Sequence, residues 1–337
     1  MPVSTYKTPA IKNAILFGTG LMRTLGRHRS PDRLHQPICR RPCGECAGSY
    51  CPFTEEKDCL PFPLIYEYLI LKEQKQYQEK NMRAISAMMR EKLKKQLERF
   101  TPQNHPESVL HALADLRADD YLTTNYDTFL HRILELRDYE QAASQNSETK
   151  YSIRRHVLMR KQETSHSCRR WNILGIYNDR PDSFTIQYGY EHYCGCIGKI
   201  DNYLKGTYTY QLRKKEISIP PMYKKLQDDK LRKGESWIDL FFFSNVHILG
   251  LNLSPEEIDL LYILNLRSRW LRDPKIKNRI RNRIVFYGQP TNAVKASVEV
   301  RSSSPKPPGK NAEKQAYENY YKRVLKVIKS GMQQSEN

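Results

Sequence analysis

The chain lacks any apolar run long enough to cross a bilayer, for which about 18 consecutive apolar residues are needed. A soluble protein is therefore expected. Its first 25 residues carry Lys7, Lys12 and Arg23 among polar groups, with no continuous apolar segment leading to a small-residue cleavage site. This argues against secretion and for a cytoplasmic location. Cysteine is scarce as well: eight in 337 residues, most of them crowded between Cys39 and Cys59, are too few and too clustered for a disulfide scaffold. A reducing compartment follows, with the cysteines either holding a metal or remaining free thiols.

Acidic residues are also under-supplied. Asp plus Glu number 37 against 56 Lys plus Arg, a net charge of +19 that attracts anions, whether nucleic acid, nucleotides or an acidic protein, without specifying a fold. The basic residues concentrate at 23–41, 154–170, 267–283 and 306–329, yet no stretch interleaves them with aromatics in an RNA-binding pattern. Nucleic acid is a weaker expectation than a solvated basic surface.

What is present begins with "NAILFGTG" (13–20), an apolar run ending in two glycines, which fits a buried strand turning sharply. From Pro61 to Arg99 the apolar residues recur every three or four positions, predicting two helices or one broken one, and "HPESVLHALADL" continues the helical spacing. "DYLTTNYD" reads as a strand ending in an unusual polar cluster, Thr123 to Asp127, before the amphipathic "TFLHRILEL". Residues 138–150 look loop-like. Further strands are expected at "WNILGIY", "SFTIQYG", "SNVHILGLNL" and "NRIVFYG", and a helix in "HYCGCIGKIDNYLKG". Ser254 suits an N-cap, Pro255 a first helical position, and Glu256 and Glu257 a first turn. "VRSSSPKPPGKN" has a linker composition and precedes a terminal helix.

Strands separated by helices argue for an α/β fold, a mainly parallel sheet with helices on both faces, plus a helical insertion at about 61–118. Residues 1–295 would form the main domain, with a Cys-rich loop at 39–59, and 296–337 a linker and C-terminal helix. In such sheets ligands bind beyond the carboxyl ends of strands, where "FGTG", "TTNYD" and "LGLNL" all fall. A strand-end turn or helix cap is the competing explanation for Asn125 and Asp127.

In order and spacing, from about residue 13 to 288, these motifs resemble the sirtuin-like family, specifically the bacterial antiviral-defence domains that consume NAD. "ILFGTG" is similar to the family's glycine turn, "TTNYD" to its Thr-x-Asn-x-Asp signature and "VHILGLNLSPEEIDLLYILNLR" to its last nucleotide-binding strand and helix. The resemblance implies a Rossmann-like fold in which Gly18, Thr19 and Gly20 approach the NAD phosphates and Asn125 holds the nicotinamide ribose and a water. It further implies Thr124 and Asp127 at the cofactor, and Gly250 and Asn252 near the adenosine ribose. Asn125 would be the catalytic residue and NAD hydrolysis to nicotinamide and ADP-ribose the activity. Oligomers, or assembly with a partner protein, are implied by the same resemblance.

One departure stands out. Where the family carries a proton-transferring histidine before a glycine, this sequence has Leu174 before Gly175. Leucine cannot accept a proton, and loss of a positioned base removes about two to four orders of magnitude in rate. Either the chain is an inactive NAD-binding scaffold or sensor, or His166 or His192 substitutes, or the matching stretch lies elsewhere. The cysteines depart too. Cys39, Cys43, Cys46 and Cys51 could hold a tetrahedral zinc, but their spacing is not that of the paired cysteines of zinc-bearing deacylases, which disfavours deacylation. Cys39, Cys43 and Cys46 do have the Cys-x3-Cys-x2-Cys spacing of radical iron–sulfur enzymes, but the surrounding chain does not resemble that barrel.

Overall fold

The computed structural model describes residues 11–25, 62–76, 81–100, 108–145, 152–176, 186–187, 189–253, 257–300, 306–309 and 312–333. The run NAILF forms β1 (Asn13–Phe17), buried at all five positions. Ala14 and Leu16 enter one hydrophobic cluster and Ile15 and Phe17 another, as the two-residue period of a strand between two covered faces requires.

Around it stand β2 (Asp120–Thr123), β3 (Tyr139–Gln145), β4 (His156–Lys161), β5 (Ser167–Asn172), β8 (Asn245–Leu249), β9 (Ile284–Tyr287) and β10 (Glu299–Val300), in the order β10-β9-β8-β1-β2-β5-β4-β3. Every pairing from β10 to β5 is parallel, and β5-β4 and β4-β3 are antiparallel. A separate hairpin joins β6 (Thr209–Leu212) to β7 (Lys215–Ser218). The fold is α/β, with a mixed, mainly parallel sheet.

Helices cover both faces. With Ala14 and Leu16 pack α5 (Tyr190–Lys205), α6 (Met222–Gln227), α7 (Trp237–Phe243) and α8 (Ile258–Arg272), and also Val294 of the short α9 (Asn292–Lys295). With Ile15 and Phe17 pack α3 (Ser108–Ala114), α4 (Phe129–Glu135) and α10 (Lys314–Gln333). Within the stretch expected as a helical insertion, α1 (Phe62–Gln76) and α2 (Met82–Phe100) share a third cluster with Ile186 and Tyr193, whereas α3 packs on the sheet.

The structure corrects several sequence expectations. Residues 139–145 form an edge strand, although their polar composition hides it: among the described residues β3 pairs with β4 alone, with a bulge between Gln141 and Ala143. Ile186 and Gln187, within the expected strand "SFTIQYG", are not in a strand. The terminal helix is no appendage, because Tyr317, Tyr321, Val324 and Ile328 are buried on the sheet with Ile15 and Phe17. The cysteines from Cys39 to Cys59, and the proposed cap at Ser254, Pro255 and Glu256, lie outside the described residues.

Three helices beside the sheet are tied by charge. Lys225 and Asp239 are both buried; the Lys225 ammonium donates to Asp239 Oδ1 at 3.1 Å and to the Tyr203 hydroxyl at 2.7 Å, which itself donates to Asp239 Oδ2 at 2.7 Å. The backbone amide of Glu235 donates to the same oxygen at 2.9 Å. This network joins α5, α6 and α7 on one side of the strands that carry the site.

Candidate functional site at the strand ends

Phe17 pairs with both Thr123 and Leu249, and Thr123 pairs with Asn172, so four parallel strands end in one row. Gly18–Gly20, Thr124–Asp127, Ile173–Gly175 and Gly250–Asn252 therefore emerge side by side across about 15 Å, three interstrand spacings. β1 lies between β2 and β8. The helices α3 and α4, either side of β2 in sequence, cover one face, whereas α8, which leads from β8 to β9, covers the other. Open α/β sheets bind ligands where connections diverge in this way.

The glycines serve first to let two backbones cross. Gly18 donates its amide to Leu249 O at 3.2 Å, and Gly20 donates to Gly250 O at 2.9 Å. A Cβ on Gly20 would stand 2.8 Å from the Cα and O of Gly250, and Gly250 itself has φ +66°, a conformation that suits glycine. Two of the amides expected to face phosphates are thus engaged by the β8 strand end, while Thr19 between them is exposed. Gly20→Ala is expected to destabilise the fold by about 1–3 kcal/mol through overpacking against backbone. Urea unfolding measures this, and an unchanged midpoint would mean that the two loops separate freely.

Asn125 differs from its neighbours. It is 4% exposed, and neither Oδ1 nor Nδ2 of its side chain has a hydrogen-bond partner among the described residues. Its backbone is held: the amide donates to Thr123 Oγ1 at 3.1 Å and the carbonyl accepts from Asn172 Nδ2 at 3.5 Å. A buried amide left unsatisfied costs about 1–3 kcal/mol, so folding alone does not explain it. Asp127, by contrast, accepts from the Phe129 amide at 3.0 Å, a local turn just before α4, whose N-cap is Thr128; this is the strand-end turn weighed from sequence. Thr124 is half-buried, its amide on Phe17 O, and Asn252 is exposed at the rim.

Beside Asn125 in the chain begins a buried polar group that the sequence motifs do not announce. The Tyr126 hydroxyl donates to Gln187 O at 3.1 Å and is hydrogen-bonded to Tyr193, and burial pushes both phenols up. The charge of Asp259, in the first turn of α8, is felt at both tyrosines and at Cys196. Asp259 is 2% exposed, and burial raises its carboxyl from 3.8 to about 6 despite hydrogen bonds from the amides of Asp259 and Leu260. Its Oδ2 has no partner among the described residues. Burial, with the Asp259 charge second, pushes the Cys196 thiol up to about 12. Gln187 donates to Leu174 O and Ile173 O, linking this group to the segment after β5, and α1 and α2 share a cluster with Tyr193 and Tyr126. One signal in the sequence could have found it: Asp259 stands four residues before Ile263 on the buried face of α8, where an apolar residue would be expected.

His166 does not fill the place of the missing base. Leu174 is buried in the apolar cluster of one sheet face, and Gly175 after it has φ +91°. His166 precedes β5, which runs parallel to β2, so it lies at the opposite end of the sheet, about 20 Å from Asn172 along the strand. There it bonds the Tyr139 hydroxyl and Arg117 O, each at 2.9 Å. His192 is buried in the first turn of α5.

Among the described residues no group of three or more His, Cys, Asp or Glu is placed to hold a metal, and Cys39, Cys43, Cys46 and Cys51 are not among them. No helix of the described residues is long and apolar enough to cross a membrane. The chain matches no protein-family model and no curated protein, so the residues at the strand ends carry the functional argument by themselves.

Proposed function

We propose that the strand-end site binds NAD in a Rossmann-like, sirtuin-like manner and hydrolyses it to nicotinamide and ADP-ribose. The observation that carries this reading is the buried amide of Asn125, without a partner among the described residues, at the point where four strands end together. A substrate ribose and a water would supply the hydrogen bonds that the amide lacks. Cleavage develops positive charge on the ribose, and the attacking water must lose a proton. With leucine at 174, Asp259 is the proposed proton acceptor, since burial has moved it into the range where a carboxylate serves as a base near neutral pH. Thr19, Thr124 and Asn252 would contact the phosphates and riboses from the rim. A role in antiviral defence, and assembly into oligomers or with a partner protein, rest on the sequence resemblance alone.

The test is chromatographic detection of nicotinamide and ADP-ribose after incubation of the purified protein with NAD. Release is expected to rise with pH through about 6 and to be lost in Asp259→Asn. The same variant reports on stability. Because the folded carboxyl titrates at about 6 and the unfolded one near 3.8, the folded state holds the extra proton between them, and stability present below 3.8 is lost as pH rises through 6. The loss is about 3 kcal/mol, and Asp259→Asn should remove this slope. Identical pH dependence in the two proteins would exclude a raised Asp259.

Leu174 favours a second reading, a site that binds NAD without turnover. In that case NAD would raise Tm with no nicotinamide released.

A further inference from the structure

A second polar site lies at the other end of the sheet. Arg267, on the buried face of α8, is 4% exposed; it donates through Nη2 to Asn282 O at 2.6 Å and to Asn282 Oδ1 at 3.3 Å, while its Nε has no partner among the described residues. No carboxylate among the described residues offsets its charge, and burial lowers the guanidinium to about 10. It lines a cavity of about 320 Å³ with Ser268, Arg283, Ser297 and Glu299, at the amino ends of β9 and β10. That end is opposite the row containing Leu249, since β8 and β9 are parallel. Glu299 is already engaged, by Nε and Nη2 of Arg283.

A buried cation without a counter-charge is expensive, and a cavity beside it admits the missing anion. Guanidinium groups match the oxygen geometry of phosphate, and the volume falls at the lower end for small-molecule sites. We propose that this cavity is a binding site for a small phosphate compound, either inorganic phosphate or a phosphate monoester, with its oxyanion on Arg267 and Arg283. This site is independent of the strand-end site and of any activity there.

The experiment is calorimetric titration of the full chain with inorganic phosphate and with ribose 5-phosphate at constant ionic strength, with chloride as the control. Saturable binding of either probe is expected, weakened tenfold or more in Arg267→Gln. Because Arg267 also holds Asn282, that variant could unfold; Arg283→Gln, at the exposed rim, is then expected to weaken binding several-fold. Tighter binding of the ester would identify a phosphorylated metabolite, and equal binding would identify inorganic phosphate. Absence of saturable binding in the native protein, or binding unchanged in the folded variants, would overturn the proposal and leave only general attraction to a basic surface.

Discussion

Asn125→Ala is expected to lower nicotinamide release from NAD by about 10²- to 10³-fold while leaving unfolding stability unchanged or higher, the loss typical of removing one positioned hydrogen-bonding group from a reacting centre. The two effects have one cause. The amide makes no hydrogen bond among the described residues, so its removal sacrifices none and relieves a buried polar group of its desolvation cost. The backbone bonds to Thr123 and Asn172 do not involve the side chain and persist. A purely structural asparagine would give the opposite result, a drop in stability with release little changed. Nicotinamide release and urea unfolding on the same preparation distinguish the two, and a stability loss above about 1 kcal/mol would refute the ligand-facing assignment.

Lys225→Ala should produce the largest loss of stability, about 3–5 kcal/mol, because it leaves the Asp239 carboxylate buried without its cation. Such a loss is a large part of the stability of a typical domain. The Tyr203 hydroxyl and the Glu235 amide would still bond Asp239, but neither carries a neutralising charge. Replacing both charges, in Lys225→Met with Asp239→Leu, is expected to recover much of the loss, since an apolar pair of similar size avoids the desolvation of two ions. Urea unfolding of the two single variants and the double variant measures the coupling. Additive losses would show that the pair does not act as a unit.

Local pattern revealed much of the sheet. The apolar runs at 13–17, 245–249 and 284–287 are strands, the three- and four-residue periodicity gives helices at 62–76 and 82–100, and the expected terminal helix is there at 314–333. The polar residues ending β2 were recognisable because a buried strand end rarely carries them. β3 was not recognisable, since a polar edge strand lacks apolar alternation and owes its form to pairing with β4. The terminal helix was expected to follow a linker, and nothing local shows that Ile15 and Phe17 receive its buried residues.

The sequence by itself determined the periodicities, the glycine turns and the place of Asn125 at a strand end, because these depend on neighbours a few residues away. Only the tertiary structure decided that Phe17, Thr123, Asn172 and Leu249 form one row, that Gly20 faces Gly250, and that His166 lies at the far end of the sheet. It also decided the chemistry of Asp259 and Arg267. Their protonation depends on how completely water is excluded and which charges lie nearby, and both are set by segments distant along the chain.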